Sequence, residues 1–142
     1  MSASPFLARL VALLITCWAG SLWTICGLVA PTLFAVLDDR HMAGQLVGRF
    51  FHIQTWIGVT IGSVLIGLGV AGRALLPGRA LIWIAAGLPL ASHVLLGPLM
   101  DQARVSGDLT RFGLLHAAAG ACFLAACIAL VMLVWKINRP AG

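Results

Sequence analysis

Four apolar runs, each about 20 residues or longer and separated by short polar turns, dominate the chain; they lie roughly over residues 8–30, 50–72, 80–100 and 112–135. At about 1.5 Å of rise per residue, each is long enough to cross the roughly 30 Å hydrocarbon core of a bilayer. Inside lipid, backbone polar groups find no water, so a run of this kind satisfies them within itself as a helix. The predicted fold is therefore all-α, an integral membrane four-helix bundle built from two helical hairpins and forming a single transmembrane domain over residues 1–142. The composition leaves nothing for a soluble domain: 61% of residues are hydrophobic and 9% charged, with a mean hydropathy of +1.06. A net charge of +5 in a soluble protein would suggest nucleic acid. Here the charges stand singly at the ends of apolar runs, as membrane-flanking residues do, so the expected partner is the lipid bilayer and not nucleic acid.

The N-terminal run continues past any small-residue cleavage site and is read as the first span instead of a signal peptide. Along it Cys17, Gly20, Ser21, Thr24, Gly27 and Pro31 recur at steps of three and four, a face where another helix can approach closely. Pro31 is expected to weaken the far end of this helix. In the charged turn that follows, Asp38 or Asp39 is placed to cap a short helix running through Gly48, ahead of the second span. That span carries Gly58, Gly62, Gly67 and Gly69, again a tight-packing pattern. A turn over 73–79 leads into the third span, where Pro89 deprives the Ala85 carbonyl of its helical donor and predicts a kink. Asp101 to Arg111 forms the second charged loop.

Four spans put both termini on one side. Arg9, Arg73, Arg79, Lys136 and Arg139 fall on that side, against Arg40, Arg49, Arg104 and Arg111 on the loop side. This bias orients both termini toward the cytoplasm, and the preference for arginine over lysine suggests a bacterial inner membrane. A faint repeat accompanies the topology. Pro31, Asp38, Arg49 and His52 in the first hairpin resemble Pro98, Asp101, Arg111 and His116 in the second, as if two similar hairpins were related by an axis along the membrane normal.

Titratable residues are costly within a bilayer and are functional candidates by default. Counted inward from Arg49, Arg111 and Asp101, residues His52, His116 and His93 lie about 5–12 Å below one membrane surface. Three histidines in one slab of a small bundle could converge on a shared ligand or proton path. Imidazole binds copper, zinc and haem iron, and bundle sites are built from side chains on facing helices. The bland reading stays beside it: His52 and His116 at the interfacial level bonding water or carbonyls, and His93 bonding the Pro89 carbonyl one turn back. His41, in the loop, reads as solvated. Cys26 and Cys122 fall near mid-bilayer and Cys17 and Cys127 in the inner half, so they form either a soft-ligand ladder for Cu(I) or ordinary small packing residues. Neither a CxxC spacing nor a zinc-ribbon pattern occurs, and disulfides are not expected there. Glutamate is absent and all four aspartates lie in loops, which leaves no carboxylate pair for acid–base catalysis. An enzyme is not expected.

The segments Arg49-Phe50-Phe51-His52-Ile53 and Arg111-Phe112-Gly113-Leu114-Leu115-His116, with Ala30-Pro31-Thr32-Leu33-Phe34, Ala43-Gly44 and Gly97-Pro98, resemble the small four-helix membrane proteins grouped with transmembrane protein 205, a family built on a domain of unknown function. The chain departs from that pattern at His93, where the group has an asparagine. The resemblance implies a four-helix inner-membrane protein and sets no biochemical activity, although a eukaryotic relative is linked to metal-drug tolerance. Two readings follow. In the first, the protein binds a transition metal or haem through His52 and His116, with His93 as third ligand or proton partner, on the periplasmic side. In the second, it is a non-catalytic assembly or partner-binding protein whose small-residue faces form a homo-oligomer or heteromeric interface.

Overall fold

A computed structural model describes residues 4–71 and 78–138. It contains four long helices, α1 (Pro5–Val36), α2 (Arg40–Val70), α3 (Arg79–Val105) and α4 (Leu109–Ile137), each long and apolar enough to cross a membrane. No strand occurs among the described residues. The helices form a ring in which each packs on its neighbours in sequence, and α4 closes against α1. The outward surface is as apolar as the core: Leu13, Leu28, Trp83, Leu114 and Leu124 are all exposed. Water disfavours so large an apolar face and lipid accepts it, so the chain is a multi-pass membrane protein.

The helices run past the apolar runs at most of their ends. What ends them is capping, not charge. Asp39 accepts hydrogen bonds from the His41 and Met42 amides, so the segment expected as a separate short helix through Gly48 is the first part of one continuous α2. Arg49 lies within that helix, where its long stem lets the guanidinium reach outward. Asp108 likewise accepts from the Arg111 amide to start α4, after a turn in which Gly107 has φ 71°, the left-handed region that glycine enters without strain. At the other end of the molecule the Arg79 guanidinium donates to the Gly69 carbonyl (3.2 Å), tying the start of α3 to the end of α2. The turn expected over 73–79 lies mostly outside the described residues.

Pro31 does not end α1. A π turn at Ile25–Val29 precedes it, and the helix then continues to Val36. A second π turn, Ser92–Leu96, precedes Pro98 in α3. The cause is the same in both. A helical proline has no N–H and presses on the carbonyl four residues back, here Gly27 and Val94, and both lie inside the π turn. The extra residue loosens the backbone there, with the Ala30 and Gly97 amides bonding to Ile25 and Ser92, five residues back. α3 runs on through Pro89 itself, and the π turn begins three residues after it. Each hairpin therefore has one plan: a helix with a π turn before a proline, a tight turn, and an aspartate-capped return helix.

Trp18 is the centre of the core, 1% exposed, among Ile15, Leu22, Leu65, Ile82, Ala85, Phe123 and Leu130. Gly58 and Gly62 make room for it. A Cβ on Gly58 would stand 3.0 Å from the Trp18 Nε1, and one on Gly62 3.0 Å from the Ala86 Cβ. The glycine face of α2 is thus used inside the bundle, where it lets α1 and α3 approach.

Candidate functional site

His52 and His93 meet on the outward side of the seam between α2 and α3. Their ring centroids are 4.7 Å apart at an interplanar angle of 60°. Each is twelve residues from the loop-side end of its helix, Arg40 or Val105, so the two stand at one level, about 18 Å along the helices. His93 is the second residue of the Ser92–Leu96 π turn, a kind of insertion often found at functional sites. One turn along α2 from His52, the Trp56 ring stands edge-on with a centroid distance of 6.3 Å. The two open a shallow groove of about 470 Å³ lined also by Ile53, Ile57, Thr60 and Ile61. The Thr60 hydroxyl donates to the Trp56 carbonyl (2.9 Å), which leaves the His52 imidazole and the Trp56 indole N–H as the groove's polar groups, with His93 against His52 at its edge.

His116 is not brought to this pair. It is seven residues from the start of α4, about 7 Å nearer the loop end than the pair when counted along the helices. There it stacks on Phe112, centroids 5.8 Å apart and planes within 14°. The Arg104 guanidinium covers the same phenyl ring at 5.0 Å, a cation–π contact. Arg104, Phe112 and His116 thus form a stack where α3 and α4 meet near their turn. Arg49 and Arg111, from which the histidine depths were counted, stand within helices that begin nine and two residues earlier. Among the described residues no group of three or more His, Cys, Asp or Glu side chains is gathered as a metal ion would need. His41, expected to be solvated, is exposed in the first turn of α2, with Gln45 Nε2 3.0 Å from its Nε2.

The cysteines divide differently from the expected ladder. Cys26 meets Cys127, not Cys122, with sulfurs 3.8 Å apart across the α1–α4 seam. Cys17 is exposed and Cys122 half-buried.

Sequence reasoning passed over a polar group at the middle of the bundle. Gln54 is 2% exposed. Its Nε2 donates to the Ser21 hydroxyl (3.0 Å), which donates in turn to the Trp18 carbonyl (2.9 Å). Its Oε1 has no partner among the described residues. With Thr55, Trp18, Pro89 and Phe123 it lines a void between all four helices. The signal was available: Gln54 is the one Asn or Gln side chain within the four apolar runs.

Residues 13–108, 96 of the 142, match the model of a family described as a domain of unknown function (DUF4149). The match includes His52 and His93 and stops short of His116. No curated protein and no solved structure matches the chain.

Proposed function

The chain belongs to the DUF4149 family, and on that premise we propose that it is a small bacterial inner-membrane protein that handles a transition-metal ion through His52 and His93, in the periplasmic half of the bundle. The 4.7 Å approach of the two imidazoles on facing helices is the observation that carries this reading. Two imidazoles at that spacing can turn one nitrogen each toward a single ion, as copper and zinc sites require. A haem between them fits less well. Two metal–nitrogen bonds of about 2.0–2.1 Å plus the ring radii would set the centroids roughly 6 Å apart, so the ligand favoured here is an ion and not a macrocycle. Two protein ligands leave the remaining coordination positions to water or lipid, which suits transient handling better than storage. His116, in its stack with Phe112 and Arg104, is outside this pair.

The narrower likeness to transmembrane protein 205 proteins is part of the proposal. It rests on the sequence motifs that carry the resemblance, of which Ala30-Pro31, Ala43-Gly44, Arg49-Phe50-Phe51-His52 and Gly97-Pro98 lie within the matched residues 13–108. Copper or zinc titrated into detergent-purified protein tests the metal reading. The expected result is binding near one ion per chain, lost in both His52→Ala and His93→Ala and kept in His116→Ala. Equal binding in all four proteins, or none in any, rejects it.

One observation favours the second reading, a membrane partner protein. Gly20, Gly27, Cys17 and Thr24 leave a narrow outward face on α1, and a Cβ on either glycine would meet nothing within 4 Å. Gly58 and Gly62, used internally, do not serve such an interface. Cysteine crosslinking at Gly20 and Gly27 in native membranes tests this face: a specific adduct supports a partner there, and its absence under saturating crosslinker removes the reading.

A further inference from the structure

The seam opposite the histidine pair, where α1 meets α4, carries two thiols that the metal reading does not use. Cys26 is the second residue of the Ile25–Val29 π turn, the same place that His93 occupies in the other hairpin. Cys127 is 1% exposed and belongs to the core with Phe123, Ala126 and Leu130, against which Cys26 also packs. Although 101 residues apart in sequence, their sulfurs are 3.8 Å apart.

We propose that Cys26 and Cys127 form a bilayer-embedded dithiol that a lipid-soluble quinone oxidises to a disulfide. A disulfide brings sulfurs to about 2.0 Å. Closing the gap from 3.8 Å calls for movement of the half-buried Cys26, with the buried Cys127 as the fixed partner. In the step, two S–H bonds break and one S–S bond forms. The two electrons and two protons released reduce the quinone to the corresponding quinol. The class of oxidant follows from position. Both thiols sit in apolar helix segments packed against the core, where hydrated oxidants such as peroxide are scarce and a quinone dissolves. The partial opening of Cys26 supplies access that Cys127 lacks, so Cys26 is the sulfur that meets the oxidant and Cys127 the one that resolves it. The product would join the first helix to the last and close the ring of helices covalently, fixing the two hairpins at one seam and leaving the His52–His93 seam as the one free to part.

The test uses reduced full-length protein in nanodiscs, exposed to a short-chain benzoquinone or to aqueous hydrogen peroxide, followed by alkylation of free thiols under denaturing conditions and peptide mass spectrometry. The expected result is loss of two of the four thiols to quinone, a Cys26–Cys127 linked peptide, and a slower reaction with peroxide. Cys26→Ser and Cys127→Ser should each keep every remaining thiol, whereas the Cys17→Ser/Cys122→Ser protein should still lose two. Four alkylated thiols after quinone, a link between any other pair, or faster oxidation by peroxide than by quinone overturns the proposal. None of these readouts depends on metal binding, so failure of the histidine reading leaves this one standing, and the reverse.

Discussion

At Gln54 an amide oxygen in the middle of an apolar bundle has no donor among the described residues. Burying such a group costs about 1–3 kcal/mol when nothing pairs with it, whereas replacing it by an apolar side chain of similar shape can be neutral or favourable. Gln54→Leu is therefore expected to raise the unfolding temperature in detergent, by an amount on the order of 1 kcal/mol. Ser21 loses a donor but keeps its bond to the Trp18 carbonyl. Gln54→Ala should do the opposite, because it empties space around Trp18 and costs roughly 2 kcal/mol or more. A fall in stability with leucine as well would mean that Oε1 has a partner beyond the described residues. The residue scale is also where sequence reading did least. The histidines drew notice because a titratable group in lipid is costly, and two of the three do meet. Which two was not legible, since facing depends on helix rotation and on a π turn that shifts His93 by one residue. A neutral amide carries no charge to draw attention, although its cost in lipid is of the same kind.

The elements were more legible than their limits. Apolar length alone identified four helices, because lipid leaves the backbone no other solution. It did not give their ends, since arginine is tolerated within a helix that reaches the interface and the true start signal is an aspartate cap. Asp39→Ala and Asp108→Ala are each expected to cost about 1 kcal/mol, read as lower unfolding temperatures, with Asp38→Ala, which caps nothing, as control. The glycines of α2 separate by the same logic. Gly58→Ala would press a methyl to 3.0 Å from the buried Trp18 ring, and overpacking of this kind costs about 1–3 kcal/mol. Gly62→Ala should be similar, but its obstacle is the Ala86 Cβ, so Ala86→Gly in the same protein should recover most of the loss. Gly67→Ala meets nothing within 4 Å and should gain roughly 0.5–1 kcal/mol from helix propensity. Thermal melts of the set in one detergent check the order; equal effects at Gly58 and Gly67 would contradict the packing described.

At the scale of the molecule, the repeated plan of π turn, proline, tight turn and capped return helix gives two hairpins facing one way, with α1 and α3 running in one sense and α2 and α4 in the other. The sequence carried this only as a spacing of prolines and aspartates; the backbone makes it physical, because each proline presses on a carbonyl at the same place in its π turn. Orientation in the membrane is the remaining global property, and charge argues it. Five basic residues fall on the terminal side against four on the loop side, where Asp39 and Asp108 are bound to helix amides and Arg104 lies over Phe112. Basic residues near the ends of spans stay on the cytoplasmic side. The loop face, with the turns at 37–39 and 106–108, should then be periplasmic. Ser106→Cys in intact cells should react with a membrane-impermeant maleimide, and Asn138→Cys should react only after the inner membrane is opened, provided the native cysteines are first replaced by serine. The reverse pattern would move the histidine groove to the cytoplasmic half, where an ion bound by two imidazoles would meet the thiol-rich reducing pool of the cell, and the protein would then have to be read as receiving its ion from within.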